Sequence, residues 1–122
     1  MPATAVRRKV LFVEDEVAIQ DAYRRHFERH YDLAFAGTGA EALERFSAFS
    51  PDVVVMDLHL PDADGIEVLR QMRDARPVVP IVITSGYASL LPVVEMLGIV
   101  HHGYLIKPFE LDALGACIDA TG

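Results

Sequence analysis

The feature that most constrains this chain is an alternation. Short apolar runs stop at polar or charged residues, and each is followed by a stretch whose apolar residues recur at helical spacing. Val53-Val54-Val55-Met56, ending at Asp57, is the clearest run. Four consecutive β-branched or long apolar residues read as a strand buried on both faces, so Asp57 stands where that strand leaves the core. Val10 to Val13 runs into Glu14-Asp15-Glu16, and Ile81 to Thr84 runs into Ser85-Gly86. Leu33 to Ala36 and Gly103 to Ile106 read as two more strands, the last leaving through Lys107-Pro108.

Five helix signals separate them. Val17 to about His30 turns Ile19, Ala22, Tyr23 and Phe27 inward. Thr38 and Glu41 offer a capping box for a second helix reaching about Phe49, with Ala40, Leu43 and Phe46 or Phe49 inward. Asp64-Gly65-Ile66-Glu67 opens a third, which buries Ile66, Leu69 and Met72 or Arg73 and is ended by Pro77 and Pro80. A fourth, about Ser89 to Leu97, contains Pro92, tolerable only in a first turn, and stops at Gly98. The fifth is short, about two turns, with Leu111, Leu114, Cys117 and Ile118 on its core face. Parallel neighbours need a crossover and helices supply it, so this order predicts an α/β domain around a parallel sheet. A chain of 122 residues has room for one such core and no second beside it.

Composition removes several functions. With 18 acids against 11 Lys and Arg, net charge −7, the chain lacks the footprint of a nucleic-acid binder. Arg24, Arg25 and Arg29, and Arg70, Arg73 and Arg76, read as solvated helix faces. No apolar run is long enough to span a bilayer, and the N-terminal MPATAVRRKVLFVEDE has too short an apolar stretch for a signal peptide. A single cysteine, Cys117, forms no internal disulfide and reads as a small buried helix residue, in keeping with a cytoplasmic location. His101-His102 reads as loop packing, since adjacent side chains point apart, and His26 and His30 as half-buried helix residues.

The chemistry lies at the strand exits. In a parallel sheet, ligands bind beyond the carboxyl ends of the strands where strand order reverses. Glu14 and Asp15, Asp57, Ser85 and Lys107 each follow one of four strands, so a parallel sheet brings them to one edge. Crowded carboxylates repel unless a cation sits among them, and an all-oxygen set suits Mg²⁺ or Mn²⁺. Lys107 would neutralise an incoming phosphoryl group, the Ser85 hydroxyl would bond one of its oxygens, and Asp57 would be the nucleophile.

These residues resemble the receiver domains of two-component response regulators, similar to stand-alone chemotaxis-type regulators. The resemblance rests on VLFVEDE, MDLHLPDADG, PIVITSG and YLIKPF, in that order over nearly the whole chain. It implies a flavodoxin-like (βα)5 doubly wound sheet of order 2-1-3-4-5, one receiver domain over 1–122 with a core of about 8–120. It implies phosphoryl transfer from a histidine kinase or phosphotransfer protein to Asp57. Asp15, Asp57 and the backbone carbonyl of His59 would hold Mg²⁺, with Glu14 acting through water. Ser85 and Tyr104 would be the switch pair, and His59 and Tyr87 would modulate loss of the phosphoryl group. A cis Lys107-Pro108 bond would aim the lysine into the pocket. Helix four, strand five and helix five would face a downstream protein or an attached output domain, in a monomer or a weak phosphorylation-dependent dimer. Such a module is no enzyme beyond its own phosphoryl transfer and autodephosphorylation.

Pro92 and GIVHHG depart from the family's alanine-rich fourth helix and small-residue turn, and predict a shortened or mobile helix there. Three other classes compete. A haloacid-dehalogenase-type aspartyl-phosphate phosphatase, also Mg²⁺-dependent, would carry a second aspartate two residues after the nucleophile, where this chain has His59. A flavodoxin-like cofactor binder would need a glycine- and hydroxyl-rich phosphate loop where Glu14, Asp15 and Glu16 stand. A phosphorylation-independent interaction module would lack pocket residues, and none is missing here.

Overall fold

The computed structural model describes residues 7–122. The first six residues of the N-terminal stretch discussed above lie outside the described residues. Five strands alternate with five helices: β1 Lys9–Val13, α1 Val17–Phe27, β2 Asp32–Ala36, α2 Gly39–Phe49, β3 Val53–Asp57, α3 Gly65–Ala75, β4 Ile81–Ser85, α4 Leu90–Met96, β5 Gly103–Ile106 and α5 Leu111–Ala120. All neighbouring strands are parallel, in the order β2-β1-β3-β4-β5. This is the flavodoxin-like doubly wound sheet.

Strand alternation divides the core. Val10, Phe12, Val53, Val55 and Val82 join Tyr23 and Phe27 of α1 and Leu114 and Ile118 of α5. Leu11, Val13, Val54, Met56, Ile81 and Ile83 face the other way, against Ala42 and Phe46 of α2, Val68, Leu69 and Met72 of α3 and Val94 of α4. Phe12 is the centre of the first layer, its ring 4.8 Å from Tyr23, 5.6 Å from Phe27 and 5.5 Å from Phe35. Because both sheet faces are covered, the central strands are apolar throughout rather than alternating.

Several elements differ from the sequence reading. Helix α1 ends at Phe27, and residues 28–30 form a turn closed by His30 and Tyr31 N–H bonds to the Phe27 carbonyl. His26, on the outer face of α1, and His30, in this turn, are exposed, not half-buried, and His26 pairs with Asp112 at 3.2 Å. Ala40 is exposed while Ala42 is buried, because the inward face of α2 runs through Ala42 and Phe46. The Thr38–Glu41 box is half formed: Thr38 Oγ1 accepts the Glu41 N–H at 3.1 Å, but Glu41 accepts from Gly37, at 2.9 Å, instead of from Thr38.

In the second arginine group Arg70 is solvent-exposed, as read, but Arg73 and Arg76 are not part of a solvated face. Arg73 donates to the carbonyls of Val79 at 2.7 Å, Pro77 at 3.0 Å and Val100 at 2.6 Å, and Arg76 donates to Pro51 at 2.7 Å. A guanidinium carries enough donors to close several loop ends at once, which an exposed-charge pattern does not reveal. Helix α5 has ten residues, nearly three turns rather than two. Helix α4 has seven, with Pro92 third from its start, where a missing N–H breaks no intrahelical bond, and Gly98 follows it at φ +69.

Candidate functional site

The reversal of strand order between β1 and β3 opens a crevice at the carboxyl ends, and the polar strand-exit residues gather there. Glu14 follows β1 and is 1% exposed; Asp57 ends β3 and is 2% exposed; Ser85 ends β4 and is 1% exposed. Lys107 follows β5 and reaches back over the edge. Its Nζ lies 2.8 Å from Asp57 Oδ2 and 2.7 Å from Glu14 Oε1. The Lys107–Pro108 bond is cis.

Each remaining carboxylate oxygen has its own donor. Asp57 Oδ1 accepts the His59 N–H at 2.9 Å, and Glu14 Oε2 accepts the Glu16 N–H at 3.1 Å. Gln20 on α1 donates to the Glu14 carbonyl at 2.5 Å, a brace that the sequence reading missed. Asp15 completes an oxygen set: one carboxylate oxygen each from Glu14, Asp15 and Asp57 lies within 4.8 Å of the others.

Burial pushes the Glu14 carboxyl up to about 7, against hydrogen bonds from Lys107 and the Glu16 backbone that favour its ionised form. For Lys107 burial works against the charge, but the hydrogen bonds to Asp57 and Glu14 and the negative charges of both together outweigh it and raise the ammonium above its ordinary value. Tyr23, beneath the pocket on α1, is raised by burial and then by the Glu14 and Asp57 charges. Three carboxylates against one lysine leave the pocket short of positive charge. All-oxygen donors at this spacing fit a hard divalent cation, and zinc would want histidine or cysteine.

On the β4 side, Ser85 Oγ accepts the Tyr87 N–H at 3.0 Å and lies 3.3 Å from the Tyr87 carbonyl, to which it donates. The Tyr104 hydroxyl donates to that same carbonyl at 2.5 Å. The two residues named from the sequence as a pair are thus joined through one peptide group. The side chains of His59 and Tyr87 are exposed at the rim, Tyr87 at 59%. His101 and His102 stay out of the site: His102 Nδ1 accepts the Ile81 N–H at 3.3 Å, and His101 Nδ1 lies 3.2 Å from the Ile99 carbonyl.

The loop after Asp57 is shaped by Gly65. A Cβ there would stand 2.1 Å from the Leu58 carbonyl oxygen, so the start of α3 lies against the backbone of Leu58. Asp64 caps α3 by accepting the Ile66 N–H at 2.9 Å, and an antiparallel bridge joins His59 to Asp64. Asp62 was not singled out from the sequence, and its carboxylate reaches α2: it accepts the Gly39 N–H at 2.6 Å and the Ala40 N–H at 3.1 Å. No local pattern could reveal a partner 23 residues away.

Fold and crevice together define a flavodoxin-like α/β domain with an acid–lysine pocket at its switch point. The chain belongs to the response regulator receiver family, whose description, response regulator receiver domain, matches residues 10–119. It is the receiver domain type of two-component response regulators. It is 34% identical over 116 residues to the regulatory protein AtoC of Escherichia coli (strain K12), an alignment covering 94% of this chain and 25% of AtoC. To the transcriptional regulatory protein TrcR of Mycobacterium tuberculosis it is 36% identical over 110 residues, 88% of this chain and 42% of TrcR. The chain thus spans less than half the length of these relatives.

Among solved structures, a CheY-like receiver domain protein from Methanospirillum hungatei matches with a TM-score of 0.84 at 28% identity, covering 96% of this chain and 94% of that one. The response regulator TrrA from Thermotoga maritima, in complex with Mg²⁺ and BeF, matches at 0.84 and 24% identity, covering 94% and 99%. At that identity the likeness is one of fold. No helix among the described residues is long and apolar enough to cross a membrane.

Proposed function

We propose that this domain accepts a phosphoryl group on Asp57 from the phosphohistidine of a histidine kinase or phosphotransfer protein, with Mg²⁺, and that the modified pocket changes the α4–β5–α5 surface for a protein partner. The observation that carries this reading is Asp57 itself. It is a carboxylate nine-tenths buried or more, held at a strand end between a lysine and two further acids.

Transfer forms a bond between an Asp57 carboxylate oxygen and phosphorus as the phosphorus–nitrogen bond of the donor breaks, and the departing imidazole takes up a proton. Asp15, Asp57 and the His59 carbonyl would hold the Mg²⁺, with Glu14 acting through water; Mn²⁺ suits the same donors. When bound, the ion supplies positive charge that offsets the carboxylates facing the incoming phosphoryl oxygens. Lys107 turns from Asp57 and Glu14 to a phosphoryl oxygen. Ser85 turns its hydroxyl to another, which takes it off the Tyr87 backbone. Tyr104 shares that carbonyl, so its ring is free to turn inward as the anchor shifts.

His59 and Tyr87, at the rim, stand where they can shield or position the water that removes the phosphoryl group. On this reading the domain is a cytoplasmic signalling module whose only catalysis is its own transfer and autodephosphorylation. Beryllofluoride titration tests it, followed by NMR shifts around Ser85 and Tyr104. Saturable change that needs Mg²⁺ and is lost in Asp57→Asn is the expected result; a wild-type protein that gives no change overturns the reading.

A further inference from the structure

Asp62 lies at the exposed tip of the β3–α3 loop and is not one of the pocket carboxylates. Its partners belong to another element. Gly39 and Ala40 are the first two residues of α2, whose N–H groups have no partner within the helix and stand at the positive end of its dipole. Asp62 takes both, one on each carboxylate oxygen, at 2.6 and 3.1 Å. Thr38, the local cap, takes the Glu41 N–H instead. Two side chains from different loops therefore divide the open donors of one helix. The two N–H groups hold the Asp62 carboxyl below its ordinary range.

The loop is also in van der Waals register with α2. A Cβ on Gly39 would sit 2.9 Å from the Ala63 Cβ and 3.0 Å from a Val68 methyl, so loop and helix meet at a distance only glycine permits. The base of the same loop is tied to the pocket, since the His59 N–H bonds Asp57 and the His59–Asp64 bridge closes the loop. A tether at the tip and a tether at the base leave the main chain of His59 little freedom between them.

We propose that Asp62 is a positioning residue for the cation site: by holding the loop tip on the N-terminus of α2, it fixes the His59 main chain where its carbonyl completes the Mg²⁺ ligands. This rests on the Mg²⁺ reading above. The carboxylate is not itself a ligand; it acts through the loop, as partners of metal-ligating groups do when they fix ligand orientation.

The test is Mg²⁺ titration followed by amide NMR shifts on wild type, Asp62→Ala, Asp62→Asn and Thr38→Ala, in high salt so that loss of a distant charge is screened. Asp62→Ala weakens Mg²⁺ binding about tenfold and raises amide exchange from His59 to Asp64. Asp62→Asn, which keeps a carbonyl acceptor, recovers part of that loss. Thr38→Ala removes a cap from the same helix without touching the loop and leaves Mg²⁺ affinity unchanged. Wild-type affinity in Asp62→Ala, or an equal loss in Thr38→Ala, overturns the positioning role alone. A wild type that binds no Mg²⁺ overturns the Mg²⁺ reading together with it.

Discussion

Lys107 is the cation shared by two buried carboxylates, and its removal leaves Asp57 and Glu14 facing each other unpaired. Breaking a buried pair by deleting one partner is costlier than the pair's net worth, because the remaining charge stays desolvated. Lys107→Ala therefore costs about 3 kcal/mol of stability in the metal-free protein, and added Mg²⁺ restores part of it. Urea unfolding in chelator and in Mg²⁺ measures both; an unchanged midpoint in chelator contradicts the pairing. His102 gives a second residue-scale outcome. Its Nδ1 accepts the Ile81 N–H and so must be unprotonated. Burial, then the charges of Arg73 and His101, hold it below the ordinary 6.5. The unfolded chain then binds more protons than the folded one in the window just below 6.5. Stability tied to His102 is complete above that value and falls as pH drops through the window to the folded pKa. His102→Gln flattens this stretch of the stability–pH curve, and an identical slope in the variant contradicts the assignment.

At the scale of elements, α4 stands apart. Its seven residues contain a proline, end at a left-handed glycine and bury one residue, Val94, whereas α2 and α3 each have eleven residues and bury three or four. Few buried side chains mean a low cost of local opening. Amide exchange across Ser89 to Leu97 is accordingly fast relative to α2 and α3, and strong protection there contradicts this. Pro92 and Gly98 made this weakness legible in the sequence, because both act through the backbone alone. Helix faces were less legible: Ala40 and Ala42 have the same side chain, and only packing against β1, β2 and α3 decides which one turns inward. Arg73 was misread for a related reason. Its acceptors are loop carbonyls, and every residue type supplies one, so no motif marks them. Arg73 also ties α3 to the segment after α4, so the loops around this short helix are held more firmly than its own turns are.

For the whole molecule, burial on both sheet faces explains how much could be read in advance. A strand covered on both sides must be apolar throughout, so its last polar residue marks where it emerges, and Glu14, Asp57 and Ser85 were found that way. Parallel direction then brought these exits to one edge. What could not be read were the ties between exits: Gln20 to the Glu14 carbonyl, Ser85 and Tyr104 through the Tyr87 peptide, and Asp62 to α2. Each joins residues by backbone groups that carry no side-chain signature. On the reading proposed here, the assembled pocket makes Asp57 a phosphoryl acceptor. The most direct measurement incubates the protein with acetyl phosphate and Mg²⁺ and follows its intact mass, with Asp57→Asn and Asp62→Asn alongside. Gain of one phosphoryl group that requires Mg²⁺, persists in Asp62→Asn and is absent from Asp57→Asn is the predicted result. Equal labelling of Asp57→Asn, or no labelling of wild type, would contradict it.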